Sequence, residues 1–355
     1  MPKNLLSYLS ALKSAQLKHL GLLTGIPTNG TKPELLPRLT SSLPSPLLPQ
    51  DSPKILSIDL GIRNLGICVV SPTFPPLPSP TSPSLFHFSK VVSPLSSERP
   101  KLHIHHWSRT TLSHPSLSSQ KTANDSQAPP PASLFTPPHL APLAYTLVTQ
   151  SLLPHAASTL LLERQRYRSG GGAAVQEWTV RVNTLEAMVW AIVETLGREI
   201  KRRGDGVGEE DKDGGPVPVC WSVEPGRVAR FWLDGGIKGH LGDDGIDGGG
   251  KGGRRRAADV KREKIGLVRG WLEGREGAPF ELGFEEGPER VKDVLLQPPK
   301  RRSGKKESET EDAEVMGGIK AGKLDDLADC FLQAATWIQW EWNRRRIIND
   351  LQSIG

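Results

Sequence analysis

Hydrophobic residues along this chain follow two different periods. Val182, Leu185, Val189, Ile192, Val193 and Leu196 recur every three or four positions, which predicts a helix over about 174–202. Ile55–Ile58 and Leu65–Val70 are short unbroken apolar runs separated by Gly61 and Gly66. They predict a strand, a tight turn and a second strand over 54–70. An apolar run predicts a strand at 158–163, and short strands are expected at 101–109, between two Pro/Ser-rich stretches, and at 217–223. Helical patterns predict helices over 140–157, 225–232, 259–273 and 322–351.

Between these elements the pattern breaks. Residues 71–100 and 111–139 are rich in Pro and Ser, which sustain neither a helix nor an inner strand. Residues 203–216, 235–258 and 274–318 are rich in Gly and charge and are expected to be irregular. Interleaved strands and helices give an α/β class built on a central sheet and interrupted by insertions. The expected organisation is a helical unit at 1–43, a Pro/Ser linker at 44–53 and a main domain at 54–351. Disordered insertions are expected in that domain near 71–100, 235–258 and 274–318.

Charge changes the picture modestly. Lys+Arg is 45 and Asp+Glu is 39, a net charge of +6. The basic residues are clustered at Arg164–Arg168, Arg254–Lys264, Lys300–Lys306 and Arg344–Arg346. Local clusters suit phosphate contacts better than the net sum indicates. Cys68, Cys220 and Cys330 lack C-x-x-C spacing, which argues against a zinc site or disulfide framework and for a reducing compartment. No apolar run reaches membrane-spanning length. The first acidic residue is Glu34, and acid-poor N-termini suit organelle import, but no arginine precedes Glu34 and a DNA-binding unit explains this stretch better.

Residues 5–43 pair two short apolar-spaced helical segments around Gly25, Pro27 and Gly30, with Lys32 at the start of the second. Pro37 is unusual inside that second helix. The unit resembles the SAP motif, a helical DNA-binding module. That resemblance implies contacts from Lys18, Lys32 and Arg38, with the Gly30-Thr31 backbone near a phosphate.

Carboxylates carry the candidate chemistry. Asp59 interrupts an apolar strand before the Gly61–Gly66 turn. A buried carboxylate is costly unless its charge is compensated, and a divalent cation does this. The same D-x-G-x-x-x-x-G shape serves metal binding in RNase H-like nucleases and phosphate cradling in actin, Hsp70 and sugar kinases. Glu163 ends the apolar run Ser158–Leu162 and precedes Arg164-Gln165-Arg166-Tyr167-Arg168, where arginines suit phosphates and Tyr167 a base face. Asp325, Asp326 and Asp329 open the last helix. Asp326 and Asp329 are spaced i, i+3 on one face, with Asp325 leaving the assignment open by one residue.

The strings L-E-R-Q-R-Y-R-S-G, R-V-N-x-L-E-A-M and K-x-D-D-L-A-D, with the SAP-like start, resemble the fungal mitochondrial Holliday-junction resolvases. These are RuvC-related and RNase H-like, which implies a mixed central sheet flanked by helices. The resemblance spans most of 5–351 and implies that Asp59, Glu163, Asp326 and Asp329 are the catalytic carboxylates.

It also implies a Mg²⁺-dependent endonuclease that makes paired symmetric nicks in four-way DNA junctions during mitochondrial DNA recombination. Hard oxygen ligands suit two Mg²⁺ ions, with Mn²⁺ a substitute. A two-fold junction calls for a homodimer, with the 174–202 helix or the Trp-rich last helix as its surface. The basic helix carrying Lys261, Arg262 and Lys264 is expected to follow a junction arm. The matrix is the expected location, and neither a membrane nor a small-molecule substrate is expected. The competing readings are an ATP-binding protein of the actin/Hsp70 class, an idle DNA-binding scaffold and an RNase H acting on RNA–DNA hybrids.

Overall fold

The computed structural model describes residues 5–51, 53–62, 64–77, 99–112, 135–165, 177–204, 217–233, 257–275, 277–297 and 324–352. Strands β1 (Ile55–Asp59), β2 (Leu65–Thr73) and β3 (Lys101–Thr110) form an antiparallel meander. Strand β4 (Thr159–Glu163) adds parallel to β1, and β5 (Val219–Val223) adds parallel to β4. Strand β6 (Glu281–Phe284) runs parallel to β3 at the other edge, giving the order β5-β4-β1-β2-β3-β6.

Alternation along the inner strands sends side chains to both faces, and both faces are covered. Leu56, Ile58, Leu160 and Leu162 meet helices α4 (Pro137–Thr146) and α5 (Glu177–Gly204) through Leu140, Leu185 and Val189. Ile55, Cys68, Val70 and Leu161 meet helices α6 (Pro225–Trp232), α7 (Ala257–Leu272) and α9 (Asp325–Gln352). Helix α9 is apolar around most of its girth because it runs through this core. Gln333 donates hydrogen bonds to the carbonyls of Ile58 and Leu161, fixing the helix across β1 and β4.

Three expectations need correction. The stretch 274–318 was expected to be irregular, yet it contains β6 and helix α8 (Glu286–Leu296), whose Val291, Val294 and Leu295 are buried. Mixed charge and glycine hid this short period. Residues 298–318 lie outside the described residues, as do 78–98 and 235–256 of the other insertions. The single helix expected over 140–157 ends as α4 at Thr146. It then loosens into a π turn, Leu147–Leu152, and a 3₁₀ turn, Leu153–His155. Pro154 lacks the N–H a regular helix needs there. Finally, the Trp-rich last helix is not a free surface, because Trp337, Trp340 and Trp342 are buried. Helix α5, by contrast, leaves Val180 and Ile200 exposed.

The N-terminal unit holds α1 (Leu5–Ala11), α2 (Ser14–Leu23) and α3 (Lys32–Ser42). Thr31 and Glu34 form a capping box, and α3 continues through Pro37 to Ser42. The unit is docked rather than tethered. Leu5, Leu9, Leu35 and Leu39 share a core with Ile347 and Leu351 of α9. Gly25 has a φ of +70°, and a Cβ there would lie 2.4 Å from the Trp340 ring. Arg344 belongs to a basic cluster in sequence but is buried in this joint. It donates to the carbonyls of Thr24, Ser42 and Ser45. Burial lowers its pKa to about 10.

Candidate active site

Parallel pairing places the C-terminal ends of β1 and β4 side by side, with Ile58 opposite Leu162. The next residues are Asp59 and Glu163, so the sheet itself brings two carboxylates together. Helix α9 supplies the third. Its first turn crosses β2 at Gly66, where a Cβ would come within 2.5 Å of the Asp326 carbonyl oxygen. Only glycine permits that approach. It brings Asp329 into the pair, and one oxygen each from Asp59, Glu163 and Asp329 lie within 4.8 Å of one another.

The cluster is electrostatically unsettled. Asp59 is pushed well above the usual carboxylate range by burial, then by the charges of Glu163, Asp329 and Asp326. Burial also raises Asp329 and Asp326. Cations offset part of this cost. Lys264 of α7 lies 2.7 Å from Asp329, and Arg109 of β3 lies 3.1 Å from Asp326. Arg109 also donates to Asn64 in the turn after β1. Such a carboxylate set fits a divalent cation, whose charge would reverse the cost that burial imposes on the anions.

The four carboxylates expected from sequence therefore divide three and one. Asp326 stands at the rim, paired with Arg109, while Asp325 pairs with Lys261 at the surface. Lys261 and Lys264 were expected to face a junction arm, but both are engaged with the acids of α9. Arg262 pairs with Asp259 one turn earlier on its own helix. In the N-terminal unit, Lys18 is exposed, whereas Lys32 donates to the Ser10 carbonyl and Arg38 to those of Pro27 and Asn29. Arg164 is exposed beside the cluster; Arg166, Tyr167 and Arg168 lie outside the described residues.

Sequence reasoning missed Arg109, Gln165 and Glu186. The Gln165 side chain donates to the Leu60 carbonyl, and its backbone N–H donates to Glu186 of α5. These bonds tie the segment after Glu163 to the turn after Asp59. Glu186 is the acid of the R-V-N-x-L-E-A-M string on α5, but neither that string nor the helical spacing assigned it a role at the site. Arg109 carried no signal beyond being a cation at a strand end.

The model of a catalytic-domain family described as mitochondrial resolvase Ydc2 / RNA splicing MRS1 matches residues 55–347. The chain belongs to this Ydc2 family. It is 33% identical over 187 residues, 52% of its length, to the mitochondrial cruciform cutting endonuclease 1 of Schizosaccharomyces pombe. It spans little more than half, 56%, of that relative's length. The crystal structure of the yeast mitochondrial Holliday junction resolvase Ydc2 superposes with a TM-score of 0.52 at 24% identity. That superposition covers 95% of this chain and 98% of the other. The fold of the Ydc2 family is thereby shared: an RNase H-like mixed sheet flanked by helices. The matched range includes Asp59, Glu163, Asp326 and Asp329.

Proposed function

We propose that this protein is a metal-dependent endonuclease that resolves four-way DNA junctions by paired nicks, in the mitochondrial matrix. The observation that carries this reading is the convergence of Asp59, Glu163 and Asp329 from three separate elements within 4.8 Å. Mere nucleic-acid binding has no use for a buried anionic cluster, which repels phosphate. The family also includes an RNA-splicing branch, and the acidic cluster favours the resolvase branch.

Asp59, Glu163 and Asp329 would hold the metal, with Asp326 at its edge. Hard carboxylate oxygens suit Mg²⁺, with Mn²⁺ as a substitute. Such ions, when bound, supply an activated water and stabilise the leaving 3′-oxygen. The chain's own cations do the remaining work. Arg109 and Lys264 stand beside the acids and can accept the scissile phosphate's charge as their carboxylate partners turn to metal. Gln165 holds the β4 exit against the β1 turn, which fixes the spacing of Glu163 and Asp59. The exposed Arg164, with Arg166, Tyr167 and Arg168, is suited to phosphates and an unstacked base at the junction centre. Lys18, Lys32 and Arg38 of the SAP-like unit, and Arg262 of α7, would add backbone contacts. Paired nicks call for a homodimer, and with the tryptophans of α9 buried, α5 is the remaining candidate surface.

The ATP-binding reading has no support from the relatives, and the turn that would cradle phosphates lies beneath α9 at Gly66. Incubation with Mg²⁺ and, separately, a four-way junction, a linear duplex and an RNA–DNA hybrid tests the proposal. Selective cutting of the junction is expected. Preferential cutting of the hybrid, or ATP hydrolysis without cutting, would overturn it.

A further inference from the structure

A second cluster of ligating side chains lies on β3, away from the carboxylates. His103 and His105 pack their rings edge to face, with centroids 4.8 Å apart. Glu285, the residue before α8, lies between them: its Oε1 is 2.7 Å from His105 Nδ1 and 3.8 Å from His103 Nε2. One ligand atom from each residue fits within 4.8 Å of the others. Arg109, which reaches the acidic centre, is four residues further along the strand, about 13 Å at the usual strand rise.

Three local features aim these side chains. First, the pairing of β2 with β3 shifts between Val69 and Val70, leaving His105 as the extra residue of a β-bulge. Bulges re-aim side chains and bend the strand. Second, His105 Nε2 lies 2.8 Å from Ser71 Oγ. As it stands, Nδ1–H donates to the Glu285 carboxylate and Nε2 accepts from the Ser71 hydroxyl; a metal taking Nδ1 would displace that proton, and Nε2–H would then donate to Ser71. A metal-bound imidazole is held by its other nitrogen in this way. Third, Gly283 of β6 lies against the His103 ring, where a Cβ would come 3.1 Å from Nδ1. That contact turns the far nitrogen, Nε2, toward Glu285.

The geometry points to a transition-metal site formed by His103, His105 and Glu285, of a class that takes Zn²⁺, separate from the carboxylate centre. Two imidazoles and a carboxylate are a borderline-soft set that Mg²⁺ does not favour and Zn²⁺ does. Ligand atoms around a tetrahedral zinc are about 3.3 Å apart. The present separations of 2.7 and 3.8 Å from the Glu285 oxygen bracket that value, and the two imidazole nitrogens lie within 4.8 Å of each other. An open groove of about 860 Å³, lined in part by His105, Glu285, Glu286 and Arg290, adjoins the cluster and gives water access to it.

The site has a structural consequence. Strand β6 pairs with the edge of the sheet through β3, and helix α8 packs on β3 and on α7, where Arg269 donates to the Leu295 carbonyl. A metal bridging two β3 histidines to the residue that opens α8 would staple that added unit to the strand that also carries Arg109. The cysteine pattern gave no hint of this, because the donors are histidines.

The test uses the full-length protein without an affinity tag, saturated with Mg²⁺ so that the carboxylate centre is filled, and titrated with Zn²⁺. One equivalent should bind in the wild type and in the Asp59→Asn variant. Affinity should fall about tenfold in Ser71→Ala, which leaves the ligands but frees the imidazole. It should fall further in His103→Ala and His105→Ala. Co²⁺ in place of Zn²⁺ should give visible absorption that is lost in the histidine variants. Zn²⁺ should also slow amide exchange across 281–296. Zn²⁺ binding that survives both histidine substitutions, or that vanishes in Asp59→Asn, would overturn the site. These readouts measure metal and not DNA cutting, so they stand or fall separately from the nuclease reading.

Discussion

The Lys264 ammonium lies 2.7 Å from Asp329 Oδ1, and the two side chains are only 12% and 18% exposed. A lysine thus holds one corner of the acidic cluster, and a metal entering there must share Asp329 with it. Lys264→Gln removes the competitor and leaves the acids less well compensated. The Mg²⁺ concentration that half-saturates cleavage should therefore fall by about tenfold, the equivalent of roughly 1.4 kcal/mol, while junction affinity at saturating Mg²⁺ weakens. A rise in the Mg²⁺ requirement would show that Lys264 assembles the site instead of restraining it.

Asp59 makes a prediction about pH. Its carboxyl, pushed up by burial and by its acidic neighbours, binds a proton more tightly folded than unfolded. The folded state then carries more bound protons, so the stability this group contributes is present at low pH. It is lost as pH rises from the unfolded value, about 3.9, through the raised folded one. In chelator, Asp59→Asn should melt higher than wild type near neutral pH, and the gap should close toward pH 4. Mg²⁺ should raise the wild-type melting temperature more than that of the variant. A variant that melts lower at neutral pH in chelator would contradict the placement of Asp59 in an anionic cluster.

The two neighbouring acids of α9 should behave differently. Asp326 pairs with the largely buried Arg109 and adds its charge to the field at Asp59. Asp325 pairs with the exposed Lys261, an arrangement worth at most about 1 kcal/mol. Asp326→Asn should reduce single-turnover cleavage by about a hundredfold or more, and Asp325→Asn by less than about fivefold, in the range of single catalytic contacts. Rates measured at saturating Mg²⁺ decide it, and the reverse order would put the register off by one.

Gly66→Ala tests how α9 reaches the sheet. The added methyl would sit 2.5 Å from the Asp326 carbonyl oxygen, so the first turn of the helix must move. A stability loss of about 1–3 kcal/mol is expected, as for other overpacked sites. Cleavage should fall further than stability explains, because Asp326 and Asp329 ride on that turn. Full activity in a folded Gly66→Ala protein would mean that the helix does not fix the acids.

The carboxylates were legible in sequence because each sits where a pattern breaks: an acid ending an apolar run, or acids opening a helix. The strand–turn–strand at 54–70 was legible for the same reason. What was hidden needed the third dimension. Arg109 and Asp326 are 217 positions apart and meet only when β3 and α9 pack. Strand β6 and helix α8 were masked by a charged, glycine-bearing stretch whose apolar residues are few. The N-terminal unit could be recognised, but not its docking on Trp340 and Ile347, because nothing local marks those residues as shared. Removing residues 1–43 should therefore lower stability as well as DNA affinity, since it bares Trp340, Ile347 and Leu351. Melting temperature and junction affinity of the truncated chain should both fall.

If these acids make a resolvase, the cut sites on a four-way junction must be paired. Each strand end of the junction is labelled in turn, and the protein is added with Mg²⁺. The account predicts nicks at symmetric positions on two opposing strands, sealable by ligase, and none with Asp59→Asn. Absence of cutting by the wild type, unpaired cuts scattered along the duplex arms, or paired cuts that persist in Asp59→Asn would contradict it.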